Sequence, residues 1–233
     1  MSDPRYAIYF VPAEDSALHR LGSLILGYDC YSGCEVSFPP DIPVAQAEWR
    51  KLVAAPGTYG FHATLKAPFL LAAGARRADL DAAFHAHANS MTAAVEFEPA
   101  VRLLESFIAV VSAGKAESLN DLAAQCVIAL DRFRAPLTAE DRARRLKPGL
   151  TGQQIENLDR WGYPYVFEDF RFHMTMTDAV DASGVDSALG YLRELFTREH
   201  GEGPIRIDRL ALVEQEKPGA RFRVISQASI GEN

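Results

Sequence analysis

The chain lacks both long apolar runs and an excess of basic residues. No hydrophobic stretch approaches the ~18 residues that span a bilayer, and no basic segment followed by an apolar one opens the N-terminus. Its 31 acidic residues outnumber 24 Lys and Arg, giving a formal net charge of −7. Nucleic-acid binding relies on cations that neutralise phosphates. We therefore expect a cytoplasmic protein with no membrane partner; nucleic acid is disfavoured but left open.

Cysteines are few, and the usual metal and nucleotide motifs are absent. Cys30, Cys34 and Cys126 form no Cys-x-x-Cys pair, which argues against a redox motif or a zinc site. The sequence contains no His-Glu-x-x-His, no Asp-rich calcium loop and no Gly-x-x-x-x-Gly-Lys-Ser/Thr phosphate loop. We expect reduced thiols, no metal and no cofactor.

Two short matching patterns stand out against this ordinary background. They are Phe61-His62-Ala63-Thr64 and Phe172-His173-Met174-Thr175, 111 positions apart. Each lies in an alternating segment, and a period of two predicts a half-buried strand. One face of each strand carries its histidine and threonine together with the polar neighbours Gly60, Lys66, Arg171 and Thr177. The opposite face is apolar.

The residues after each motif also repeat. The first motif is followed by a helical stretch, 77–91, and strand-like runs at 95–102 and 106–112. The second is followed by a helical stretch, 185–198, and runs at 205–213 and 221–226. No flexible linker separates the copies. We predict an α+β fold with two pseudo-symmetric lobes of antiparallel sheet plus helices, a central cleft between them, and residues 1–233 as one bilobal domain.

Residues 135–168 join the two copies and carry a run of basic residues, Arg142, Arg144, Arg145 and Lys147. The first interpretation is a solvated helix face, and the alternative is a lid over an anionic substrate. The sequence does not assign this segment a role.

The two motifs suit the opening of a phosphodiester. Imidazole titrates near neutral pH, so His62 and His173 can serve as general acid and base. We expect His62 to be the acid at the leaving oxygen and His173 the base that activates water, an order that the near-symmetry of the motifs leaves reversible. Thr64 and Thr175 can donate hydrogen bonds to the phosphate oxygens. Lys66 and Arg171, predicted on the same faces, are candidate phosphate ligands; Tyr59 is a candidate aromatic at the rim of the site.

The motifs resemble those of the 2H phosphoesterases, a family defined by two His-x-Thr/Ser motifs. The sequences of residues 59–69 and 170–177 are similar to those of a bacterial branch of this family, often encoded beside phosphonate-utilisation enzymes. The resemblance covers nearly the whole chain. It implies metal-independent hydrolysis of a small ribose-type cyclic phosphate in phosphonate metabolism. RNA end processing, as a 2′,3′-cyclic phosphodiesterase or 2′-5′ ligase, is the alternative enzyme. A non-catalytic binder of phosphorylated nucleotides is the alternative from another class. Substrate and oligomeric state stay open.

Overall fold

The computed structural model describes residues 3–231. The strands in that range are β1 (Arg5–Phe10), β2 (Ala63–Leu70), β3 (Val95–Phe97), β4 (Pro99–Leu104), β5 (Phe107–Ser112), β6 (His173–Thr175), β7 (Ile205–Ile207), β8 (Arg209–Gln215) and β9 (Arg223–Ser229). The helices are α1 (Ala17–Leu26), α2 (Gln46–Leu52), α3 (Arg77–Ser90), α4 (Glu117–Leu130), α5 (Ala139–Arg145), α6 (Gly152–Trp161) and α7 (Val185–His200). None of these helices is long and apolar enough to cross a membrane.

The strands build an antiparallel sheet whose two halves meet at the motif strands. The order is β4-β5-β6-β2-β1-β8-β9, and β2 pairs with β6 through Ala63 and Met174. The predicted α+β architecture, with antiparallel strands on both sides of a central boundary, is confirmed. The boundary lies between the two histidine-bearing strands, which places both motifs at the centre of the sheet.

The internal repeat is present in the order of elements. The first copy runs β2-α3-β3-β4-β5, and the second runs β6-α7-β7-β8-β9. The copies exchange their hairpins: β6 pairs with β5 of the first copy, whereas β2 joins β8 and β9 of the second through β1. Each predicted run at 95–102 and 205–213 is split in two, at Glu98 and Asp208, because β3 and β7 leave the main sheet and pair with each other.

The main hydrophobic core lies on one face of the sheet, where α3, α4 and α7 pack against the strands. The alternate residues Tyr6, Ile8 and Phe10 of β1 point into this core. Ala7, Tyr9 and Val11 point to the other face, into a smaller cluster with Phe222. Strand β1 is therefore buried on both faces, and its second face supports the motif strands described next.

Candidate active site

The apolar alternation of the motif strands turns both histidines away from the main core. Phe61, Ala63 and Leu65 of the first motif segment are buried in that core, as are the corresponding apolar residues of the second, Phe172, Met174 and Met176. With those side chains fixed, the pleat of an extended chain sends the histidines and threonines to the opposite face. All four are only partly buried.

The four motif side chains line one cavity. In an antiparallel pair, the contact of Ala63 with Met174 sets His62 opposite Thr175 and Thr64 opposite His173. These residues and Tyr59 border a cavity of about 470 Å³. A second cavity of about 550 Å³ continues past Thr64 and His173. The structure therefore brings both His-x-Thr motifs to a single cleft.

Both imidazoles are held in the same tautomer. Nδ1 of His62 lies 2.9 Å from the carbonyl oxygen of Gly60, and Nδ1 of His173 lies 2.8 Å from that of Arg171. A carbonyl oxygen only accepts, so Nδ1 carries the hydrogen in both rings. Nε2 of each neutral ring is then the nitrogen that accepts hydrogen bonds and protons. In His62 that atom lies 3.1 Å from Oγ1 of Thr64, whose hydroxyl donates to it.

Burial keeps both rings neutral. The pKa of His62 is lowered to about 4, mainly by burial; the hydrogen bond to Gly60 opposes the shift, and the charge of His173 contributes to it. Burial also lowers the pKa of His173. The ring of Tyr9 stacks on His62 with centroids 3.9 Å apart, and Phe107 lies beside His173 at 5.7 Å. Because both imidazoles border the same cleft, the charge of His173 affects the pKa of His62.

Two of the three predicted substrate-binding residues lie at the cleft. Tyr59 borders the cavity of both histidines and stacks on Phe222 at 5.1 Å. Arg171 is exposed and lines the second cavity beside His173. Thr177, predicted on the same face as His173, lines the same cavity but is fully buried, and its hydroxyl accepts the N–H of Ile108 just beyond the end of β6 at Thr175.

The prediction that Lys66 shares the face of His62 and Thr64 is wrong. In the pairing of β1 with β2, Ile8 faces Lys66 and Tyr9 faces Thr64, so Leu65 is an extra residue in a β-bulge. The bulge turns Lys66 to the core face, where its side chain is 3% exposed. Its Nζ donates to Oδ1 of Asp131 at 2.9 Å and to the carbonyl of Val127 at 3.2 Å. Lys66 is a buried structural cation.

Sequence reasoning missed Arg5 and Tyr163, which line the cavity of about 470 Å³ that both histidines border, called here the histidine cavity. Arg144 and Arg145 also line it and were named in the sequence only through the alternative of a lid. Of the basic run at 142–147, Arg142 pairs with Asp159 of α6 and Arg144 pairs with Asp141, as a solvated helix face would. Arg145 is half-buried at the cleft, nearer to the alternative interpretation as part of a lid. Tyr9 also lines this cavity, and no pattern in the sequence separates it from the aromatic residues of the core. Within residues 3–231, no cluster of three or more His, Cys, Asp or Glu side chains could hold a metal.

A family model described as "Protein of unknown function (DUF1045)" matches residues 64–223, more than half of this chain. The chain belongs to the DUF1045 family. Two curated relatives of this DUF1045 protein are both named ribose 1,5-bisphosphate phosphokinase PhnN. The one from Janthinobacterium sp. (strain Marseille) is 38% identical, over 94% of this chain and 49% of the relative. The one from Laribacter hongkongensis (strain HLHK9) is 34% identical, over 94% and 50%. The chain thus spans about half the length of the curated relatives it matches.

Two solved structures are more distantly similar to the DUF1045 chain. A conserved protein of unknown function, ATU0111 from Agrobacterium tumefaciens str. C58, has a TM-score of 0.45 at 10% identity, over 100% of this chain and 88% of that one. LigT of E. coli, complexed with NADP+, has a TM-score of 0.41 at 14% identity, over 99% and 100%. Neither likeness assigns a role to a residue of this chain.

Proposed function

We propose that this chain is a metal-independent phosphodiesterase of the 2H type that opens a small cyclic phosphate in the cytoplasm. The observation that carries the proposal is the matched pair of imidazoles. Each is fixed through Nδ1 by a carbonyl two residues earlier, which leaves Nε2 for proton transfer at one cleft. Two proton-transfer groups at one phosphate are what hydrolysis of a cyclic diester needs.

The reaction follows from these groups. One imidazole takes a proton from water as the water oxygen bonds to phosphorus, and the bond from phosphorus to one ring oxygen breaks. The other imidazole, protonated, gives its proton to that leaving oxygen, so a phosphate monoester and a free hydroxyl remain. When the substrate binds, the hydroxyl of Thr64 turns from Nε2 of His62 to a non-bridging oxygen, where it and the hydroxyl of Thr175 stabilise negative charge.

The pKa of His62, lowered to about 4, favours His62 as the base and leaves the acid role to His173, the reverse of the order expected from the sequence. His62, with its pKa lowered to about 4, is neutral over the physiological range and ready to accept a proton. His173 must be protonated to act as the acid. A bound phosphate, being an anion, raises the pKa of a neighbouring imidazole and favours that form.

A small sugar phosphate is the substrate class that fits best. The acidic chain disfavours long RNA, and the curated relatives carry the name of an enzyme of ribose 1,5-bisphosphate. This chain spans half of them and has no Gly-x-x-x-x-Gly-Lys-Ser/Thr loop. We assign the kinase activity in that name to the other half, and to this chain a phosphodiesterase acting on a ribose-type cyclic phosphate in phosphonate metabolism.

The test is a screen of cyclic phosphodiesters with EDTA present, including ribose 1,2-cyclic phosphate and nucleoside 2′,3′-cyclic phosphates. We expect turnover of at least one by the wild-type protein. His62→Ala and His173→Ala should each abolish that turnover while retaining affinity for the ligand. No turnover of any member, or turnover that survives both substitutions, would overturn the proposal.

A further inference from the structure

The wall of the histidine cavity contributed by β1 and α5 is basic. Arg5, Arg144 and Arg145 line the same cavity as His62 and His173. The bulk of the protein is acidic, so this concentration of guanidinium groups at one end of the cleft is a local feature. It sits beside the residues that the proposed chemistry uses.

These cations are poorly neutralised by the protein itself. Arg145 donates to the carbonyls of Gly162 and Pro68, the latter at 2.8 Å, and lies over the ring of Tyr163 at 5.9 Å. Arg5 donates from Nε to the neutral amide oxygen of Gln215 at 2.8 Å. Within residues 3–231 no carboxylate forms a salt bridge with either of these two side chains.

Other charges do not cancel this excess. Arg144 pairs with Asp141, which leaves Arg5 and Arg145 without a carboxylate partner of their own in the described part of the chain. Asp178 also lines the cavity, beside Thr177 and Ala179 rather than among the arginines. Burial is the main reason that the pKa of Arg145 is lowered; Tyr163 and Asp141 oppose the shift, and the charges of Arg144 and Arg5 contribute to it. Half-buried cations that repel one another are costly unless an anion joins them.

A buried hydroxyl points to the same place. Tyr9 is fully buried and lines the cavity, yet its hydroxyl has no hydrogen-bond partner within residues 3–231. Arg5, Tyr59 and Tyr163 are near enough to influence its pKa, which burial raises strongly, so it stays a neutral donor. An unsatisfied buried donor destabilises the free protein, and a bound ligand that accepts its hydrogen bond removes that cost.

We propose that Arg5, Arg145 and the hydroxyl of Tyr9 form a second anion subsite, which takes a phosphate monoester on the substrate whose cyclic diester lies between His62 and His173. The inference rests on the proposed function. Guanidinium groups match phosphate oxygens with paired donors, and a tyrosine hydroxyl supplies a further one. The substrate class is accordingly a sugar with two phosphoryl groups, one cyclised and one free.

The kinetic test compares substrates that differ only in the second phosphate. A nucleoside 2′,3′-cyclic phosphate is assayed with a free and with a phosphorylated 5′-hydroxyl, and ribose 1,2-cyclic phosphate with a free and a phosphorylated primary hydroxyl. We expect kcat/KM to be at least tenfold higher for the phosphorylated member of the accepted pair. Arg5→Gln and Arg145→Gln should bring that ratio towards one, with a smaller reduction in Tyr9→Phe. Arg142→Gln, on the same helix as Arg145 but paired with Asp159, is the matched control and should keep the ratio.

A binding test separates failure of this inference from failure of the proposed function. Ribose 5-phosphate is titrated calorimetrically into the His62→Ala/His173→Ala double variant, whose arginines are intact. We expect binding, and the addition of Arg5→Gln should weaken it at least tenfold. Thermal melts verify that each variant is folded. If Arg145→Gln does not fold, Arg5→Gln alone tests the subsite. Arginine-dependent binding without turnover of any cyclic diester would retain the subsite and overturn the proposed function. Arginine-independent binding, no binding, or an unchanged kinetic ratio in Arg5→Gln would overturn the subsite.

Discussion

The ring of Tyr9 lies on the ring of His62, with centroids 3.9 Å apart and planes 29° from parallel. Tyr9 is itself fully buried between β2 and β8. The stack therefore covers one face of His62 with a rigid apolar surface, and the loss of solvent is the main reason that its pKa falls to about 4. A neutral imidazole with a fixed Nδ1–H is poised to accept a proton.

Removing either histidine should nearly abolish hydrolysis of the accepted cyclic phosphodiester. We expect His62→Ala and His173→Ala to lower kcat by about 10²–10⁴-fold, the usual contribution of a positioned acid or base. Thr64→Ala and Thr175→Ala should lower it by roughly 10–100-fold, since each removes one hydrogen bond to a charged group. Steady-state kinetics measure both. His200→Ala, far along the chain and bonded to the carbonyl of Gly203, is the control. Threonine variants more impaired than histidine variants would contradict the assignment.

Lys66 should matter for stability and not for turnover. Lys66→Met removes the buried partner of Asp131, which keeps its second partner Arg134, so we expect a loss of about 1–3 kcal/mol in the free energy of unfolding. The value of kcat/KM should stay within about twofold. Urea denaturation and kinetics measure the two quantities. Arg76→Met, which breaks an exposed pair with Asp79, should change stability little. A large loss of kcat/KM in a stable Lys66→Met protein would return Lys66 to the site.

The motif strands and the order of elements were predictable because they depend on local patterns. The alternation around His62 and His173 gave the correct face for both. These features depend on side chains a few positions apart, whose periodicity is visible along the chain.

The misplaced residues depend on partners distant in sequence. Lys66 is turned inward by a bulge that exists only in the pairing of β2 with β1, over 50 residues earlier. Arg5 and Arg145 line the same basic wall of the cavity although they are 140 residues apart, and no periodic pattern in the sequence predicts that they lie together. The exchange of hairpins between the two copies is likewise a property of pairing. Local patterns thus indicated the groups that we propose react, whereas the groups proposed to select the substrate come from long-range contacts.

The protein should become less stable as the pH decreases, because of His62. Its folded-state pKa of about 4 lies below the unfolded value of 6.5. The folded protein therefore has its full stability with respect to this group above pH 6.5. As pH falls from 6.5 to 4, the unfolded chain binds a proton that the folded protein excludes, at a cost of about 3 kcal/mol in all. Unfolding free energies of His62→Gln and wild type, measured from pH 7.5 to 4.5, should show the flatter dependence in the variant. Parallel curves would mean that His62 titrates normally.

Activity should survive exhaustive chelation. The proposed mechanism transfers protons between water, two imidazoles and the leaving oxygen, and no step requires a Lewis acid. We expect unchanged kcat/KM after dialysis against EDTA and assay in its presence. A metal-dependent phosphodiesterase treated in the same buffer shows that chelation is complete. Activity lost on chelation and restored by one divalent ion would contradict the mechanism.

The division of labour should appear in both the pH profile and the choice of leaving group. The profile of kcat/KM should be bell-shaped, since protonation of His62 removes the base on the acidic limb and deprotonation of His173 removes the acid on the basic limb. Both pKa values are lowered in the free protein, so the maximum should lie below pH 6.5. The profile of kcat should move to higher pH, because a bound phosphate favours the imidazolium form of His173.

A nitrophenyl phosphodiester, whose leaving group needs no proton, should restore turnover to His173→Ala but not to His62→Ala, and the basic limb should disappear in the rescued variant. Rescue of His62→Ala alone would reverse the two roles, and a flat profile from about pH 4 to 9, where imidazoles titrate, would exclude the two-histidine mechanism.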